Sequence, residues 1–125
     1  MPESVQAVCD RILSLDRAVR FAGMANGGKI VASKYRKGLA PLLTEKESEL
    51  SVVQSTIRML LRKPLEEKLG GMVYAFARYG NVKRATIPLR DDWTLMVSFD
   101  LESEHDSVIM GKIIPLLREN GLYVK

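Results

Sequence analysis

The reactive side chains in this sequence are few: one histidine, one cysteine and scattered serines. His105 stands between Glu104 and Asp106, a group that can polarise water or hold a cation if further ligands join it. Zinc needs ligands from several places, and there is no second His or Cys to supply them. The nearby carboxylates also lack the spacing of a calcium loop. His105 is therefore expected to be an exposed residue at a helix start. Cys9 falls on an apolar stripe and is expected to pack as a small hydrophobe. Ser33, Ser98 and Ser107 have no G-x-S-x-G surroundings and no base of obvious proximity. These residues predict no active site, no cofactor and no metal, hence a protein that is not an enzyme.

Two further stretches invite a chemical reading. Asn26-Gly27-Gly28-Lys29 offers glycines and a lysine, as a phosphate loop does. Such a loop is longer, ends in Lys-Ser/Thr and opens a helix, whereas Lys29 is followed by strand-like Ile-Val-Ala-Ser. The glycines are read as a hairpin turn, because tight hairpins need positive φ. The second stretch, Lys34-Tyr35-Arg36-Lys37, can contact nucleic-acid phosphates and stack a base. Arg58, Arg62, Lys63, Arg78, Lys83, Arg84 and Arg90 extend that surface if they fold nearby. Aromatic residues are only 6% of the chain, and no nucleic-acid motif accompanies the cations. An acidic protein partner, or plain solvation, accounts for them as well. Lys34, Arg36, Lys37 and Arg84 are the expected partner-binding basic patch.

The elements that would position these residues follow from composition and periodicity. The 125 residues, 46% hydrophobic and 27% charged, make one domain over 1–125 with enough apolar material for a core. A single cysteine points to a reducing compartment. No apolar run nears the ~18 residues of a membrane span, and the start MPESVQAVCD has no signal-peptide pattern. A cytoplasmic location is expected. Charge is uneven: six bases and no acid lie between Arg17 and Thr44, and six acids and no Lys or Arg between Asp91 and Gly111. Poles of opposite sign can steer partners or copies together.

Residues 4–16 space Val5, Val8, Ile12 and Leu15 helically, with Ser4 as N-cap. Residues 18–25 and 30–35 are a hairpin. Thr44 and Glu47 form a capping box ahead of a helix carrying Leu50, Val53, Ile57 and Leu60 on one stripe. Pro64 kinks or ends it, and Gly70-Gly71 closes a short helical piece through Leu69. Three strands follow at 72–79, 82–89 and from Trp93, the last with clear two-residue alternation. A bent helix from about Glu104 to Glu119 finishes the chain, capped by Ser103 or Asp106, with Val108, Ile109, Ile113, Leu116 and Leu117 buried. The expected fold class is α+β, order α-β-β-α-β-β-β-α, with helices on the faces of a five-stranded, mainly antiparallel sheet.

This order and the stretch FAGMANGGKIVAS, with Gly28 at a turn and Ile30-Val31-Ala32-Ser33 after it, resemble the roadblock / dynein light chain family of longin- and profilin-like architecture. The likeness in element order covers nearly the whole chain and implies a divergent, stand-alone prokaryotic member of archaeal type. It implies a non-catalytic dimerisation module that joins sheet edges at its third strand, packs central helices together and docks small Ras-like GTPases or scaffold partners. The implied partners are a second copy, a roadblock-like paralogue and a small GTPase. On this chain the expected dimer interface is Leu50, Val53, Ile57, Met72, Val73, Tyr74 and Phe76, since an apolar edge strand at 72–79 needs covering. Two alternatives stand beside it. One is a sensor binding a small ligand between sheet and helix, near Trp93 and Met96. The other is a nucleic-acid accessory protein using the basic segment 29–37.

Overall fold

A computed structural model describes residues 4–123. The first helix, α1 (Val5–Leu15), opens where the Ser4 hydroxyl accepts the Ala7 N–H at 3.1 Å, satisfying one of the free amides at the helix start. Strands β1 (Val19–Asn26) and β2 (Lys29–Tyr35) form the expected hairpin. Gly27 and Gly28 take φ of 59° and 82°, as a two-residue turn matched to strand twist requires. The central helix α2 (Glu45–Arg62) begins with a reciprocal capping box, Glu47 N–H on Thr44 Oγ1 and Thr44 N–H on the Glu47 carboxylate. At Pro64 it tightens into a 3-10 turn, Lys63–Leu65, and α3 (Glu66–Leu69) stops at Gly70.

Strands β3 (Ala75–Arg78), β4 (Lys83–Pro88) and β5 (Trp93–Phe99) complete a five-stranded sheet in the order β2-β1-β5-β4-β3. Every pairing is antiparallel. Alternation along the strands sorts side chains between two faces. Ala22, Met24, Ala85, Ile87, Leu95, Val97 and Phe99 point to the side covered by α1 and the C-terminal helix, where the main core lies. The other face carries Phe21, Ala25, Ile30 and Met96, which meet Val52 of α2 in a much smaller cluster.

The C-terminal helix has three parts: α4 (His105–Val108), a π-helical stretch Ile109–Ile113, and α5 (Ile114–Glu119). Pro115 has no N–H for the carbonyl four residues back. The wider turn directly before it lets the Ile114 N–H reach the Ile109 carbonyl instead. The proline, expected to bend the helix, is preceded by this π-helical stretch.

Three expectations are corrected. The third strand is not 72–79 but Ala75–Arg78: Val73 and Tyr74 turn in against the main core, and the Met72 N–H is taken by the Glu66 carboxylate at 2.6 Å. Neither Ser103 nor Asp106 caps the last helix, whose N-cap is Glu104 with no side-chain bond. Asp106 instead accepts the Tyr74 hydroxyl at 2.5 Å. The opposite charge poles, finally, are joined at one point inside the chain, where Arg20 and Arg36 both bond Asp100, one of the six acids.

Candidate interaction surface

An ordinary surface helix turns its apolar stripe to the core. Helix α2 does the reverse. Ser51, Val52 and Ser55 are its buried residues, so two of the three side chains it sinks toward the sheet are hydroxyls. Leu50, Ile57, Leu60 and Leu61 are 55%, 50%, 62% and 74% exposed, and Val53 is 45% exposed. The periodic stripe legible in the sequence therefore faces outward. A run of aliphatic side chains on one helix face without cover is the mark of an interaction site.

The open edge of β3 is the second unsatisfied feature. Ala75, Phe76, Ala77 and Arg78 pair with Thr86, Ala85, Arg84 and Lys83 of β4, and among the described residues no strand pairs on the other side. Tyr79 N–H bonds the Val82 carbonyl, so by antiparallel alternation the amides of Phe76 and Arg78 point to the open edge. The edge is short, as protected edges are.

The seven residues expected at the dimer interface do not form one patch. Leu50, Val53 and Ile57 lie on the outer stripe of α2. Val53 borders a cleft with Lys29, Ile30 and Ser33 of β2, at the sheet edge opposite β3. Met72 lies under the C-terminal half of α2, near Met59 and Leu60. Val73 and Tyr74 pack on the main core, so their side chains serve the protomer. Phe76, directly opposite Ala85, points to the face covered by the C-terminal helix, where its ring stacks on His105 at 3.9 Å between centroids and 11° between planes.

That stack corrects the reading of His105 as an exposed residue. It is half-buried, and its Nδ1 is buried with no hydrogen-bond partner. No sequence signal joins positions 76 and 105. Beside it, the bond to Asp106 pushes the Tyr74 phenol up to about 12. Cys9 packs as expected, fully buried with Sγ 3.8 Å from the Ala32 carbonyl, and burial raises its thiol to about 11. At neutral pH it is a thiol and a poor nucleophile. Among the described residues no group of three or more His, Cys, Asp or Glu side chains could hold a metal ion.

The cations of the expected basic patch are dispersed too. Lys34 reaches Asp10 of α1 at 3.7 Å. Arg36 grips Asp100 through both terminal nitrogens, at 2.8 and 3.2 Å, and donates to the Arg17 carbonyl. Lys37 is exposed beside it. Arg84 lies two strands away from β1 on the α2 side of the sheet, donating to Ser51 Oγ at 2.7 Å. Lys83 is buried, with its ammonium on the Ser103 carbonyl. Tyr35 packs its ring on Phe21, 4.6 Å between centroids, rather than standing free to stack a base.

Because α2 touches the sheet mainly through Val52, clefts open on both of its flanks. One of about 540 Å³ is bordered by Trp93, Thr56, Met59 and Met72. The other, of about 600 Å³, is bordered by Met96, Phe21, Arg58 and Arg84. Among the described residues no helix is long and apolar enough to cross a membrane.

Neither a protein-family model nor a curated protein matches the chain. Solved structures do. MglB of Myxococcus xanthus is similar with a TM-score of 0.68 at 15% identity, over 92% of this chain and 92% of that one. An MglB with tetrameric arrangement gives 0.70 at 17% identity, over 92% and 86%. A roadblock/LC7 domain from Streptomyces avermitilis gives 0.69 at 8% identity, over 94% and 97%. The archaeal origin expected from the sequence finds no support in these likenesses. At such identities the likeness is one of architecture, and it extends over nearly the whole of each chain. The protein has the roadblock fold.

Proposed function

We propose that this protein is a non-catalytic pairing module of the cytoplasm, which joins a second copy of itself or a roadblock-like paralogue and, once paired, regulates or scaffolds a small Ras-like GTPase. The observation that carries the reading is the inverted α2, with hydroxyls toward its own sheet and Leu50, Val53, Ile57, Leu60 and Leu61 outward. Covering five half-exposed aliphatic side chains stabilises by about 5 kcal/mol per protomer. Two copies double that, which reaches the scale of the cost of association, ~4–15 kcal/mol. The short open edge of β3 offers backbone bonds to the same end. The shared fold adds support, since one of the similar structures is an MglB with tetrameric arrangement.

The test is light scattering over a range of concentrations. The expected mass is twice the 14.0 kDa of the chain, falling to the single-chain value in Ile57→Asp with an unchanged circular dichroism spectrum. A wild-type monomer at every concentration would remove self-pairing. The GTPase role is tested by nucleotide hydrolysis and exchange in candidate Ras-like GTPases with and without the chain; no effect on any of them would remove it.

A further inference from the structure

The cleft of about 600 Å³ lies between α2, the segment 36–44 and the sheet. Its floor is apolar, made by Phe21, Ile30 and Met96, and Leu42 and Leu43 of the 36–44 segment form an apolar outer wall. That segment is held at both ends, by the Arg36 grip on Asp100 and by the Thr44 capping box. Three cations border this space, Arg20, Arg58 and Arg84. Arg84, half-buried on β4, donates to Ser51 Oγ at 2.7 Å, and Arg58 of α2 donates to Ser55 Oγ at 3.3 Å. Among the described residues neither guanidinium has a carboxylate within ion-pair distance, although Arg20 at the same cleft is paired with Asp100. The one acid of the lining, Glu47, is held by its capping bond. A guanidinium has five donors, and one hydroxyl leaves most of them, and the charge, uncompensated. Arg84 is half-buried, and a charged group taken part-way from water asks for a counter-charge, whereas Arg58 at the rim stays exposed.

We propose that this cleft binds a small organic anion, with its carboxylate or phosphate head on Arg84 and Arg58 and its apolar body on Phe21, Ile30 and Met96. The cleft borders the outer stripe of α2 at Leu50.

Calorimetric titration of the full-length protein with n-decanoate, n-decanol and decyltrimethylammonium, each below its micelle concentration, tests this. Expected is saturable binding of decanoate to one site per chain, with the alcohol and the cation at least about tenfold weaker. Arg84→Gln and Arg58→Gln each lower decanoate affinity by about tenfold, a loss of about 1.4 kcal/mol. Arg84→Lys, which keeps the charge, retains more affinity than Arg84→Gln, and Lys68→Gln leaves it unchanged. Melting followed by circular dichroism shows which variants are folded. No saturable binding of decanoate by the wild type overturns the proposal, as does equal binding of decanol. A folded Arg84→Gln that binds decanoate normally but loses self-association also overturns it, and assigns Arg84 to a partner surface.

Discussion

Arg36 and Asp100, 64 positions apart in sequence, are joined by two parallel hydrogen bonds of 2.8 and 3.2 Å, and Arg20 adds a third at 3.1 Å to the same carboxylate. The bonds from Arg36, followed by those from Arg20, hold the Asp100 carboxyl below its ordinary range against the opposing effect of burial. The Ala18 N–H and then Lys112 do the same for Asp16.

Asp100→Asn is expected to lower stability by about 1–2 kcal/mol in urea titration, because two part-buried guanidiniums lose their counter-charge while water still screens the site. The pH dependence has a definite sign. A carboxyl depressed by folding stabilises above its unfolded value, ~3.9, and that stability is lost as pH falls through the folded value. The difference between wild type and Asp100→Asn is therefore constant near neutrality and narrows as pH falls below about 4. A gap that stays constant down to the acid transition would contradict the ion-pair assignment.

Tyr74 gives a spectroscopic check at the other end of the scale. Its hydroxyl donates to Asp106, and its phenol is raised to about 12. A raised folded value stabilises below the unfolded one, ~10, with the gain lost as pH climbs toward 12. Asp106→Asn is expected to bring the phenolate absorbance transition of Tyr74 down toward 10, with Tyr74→Phe identifying the signal. An unchanged transition would show that the pair does not persist in solution.

Two isoleucines measure how separate folding and association are. Ile113, fully buried in the main core, is expected to cost about 2–5 kcal/mol when changed to Ala. For Ile57→Ala, with the side chain half in solvent, the expected effect on an isolated protomer is within about 0.5 kcal/mol. Under paired conditions it lowers the melting temperature in a concentration-dependent way. A large loss in the monomeric regime would place Ile57 in the protomer core.

At the β1–β2 turn, Gly28→Val is expected to destabilise by about 1 kcal/mol or more, since φ of 82° is strained for a β-branched residue. Gly27→Asn is expected to cost less, because Asn tolerates positive φ. Equal costs in urea titration would mean that the turn relaxes into another type.

Local chemistry was readable without coordinates. The Ser4 and Thr44 caps, the glycine turn, the alternation of Trp93–Phe99 and the stop at Pro64 each depend on neighbours a few residues apart. What sequence could not supply was direction and distance. Periodicity locates the Leu50–Ile57 stripe but does not say which side of α2 meets the sheet. The signal that could have done so is the opposite line of small hydroxyl residues, Ser48, Ser51 and Ser55. The Phe76–His105 stack and the Asp100 bridge depend on strand order. Apolarity alone overextends the third strand, because Val73 and Tyr74 are apolar for the sake of the core, and apolar residues there look the same as strand.

The orientation of α2 bears on how such a chain can change over generations. The side chains that hold the protomer together and those that lie open to a partner are almost separate sets, carried on opposite sides of one helix. Drift at Leu50, Val53, Ile57 or Leu61 escapes purging for misfolding, because none of them supports the core. New pairings can therefore be sampled by duplicated copies without a prior gain in stability.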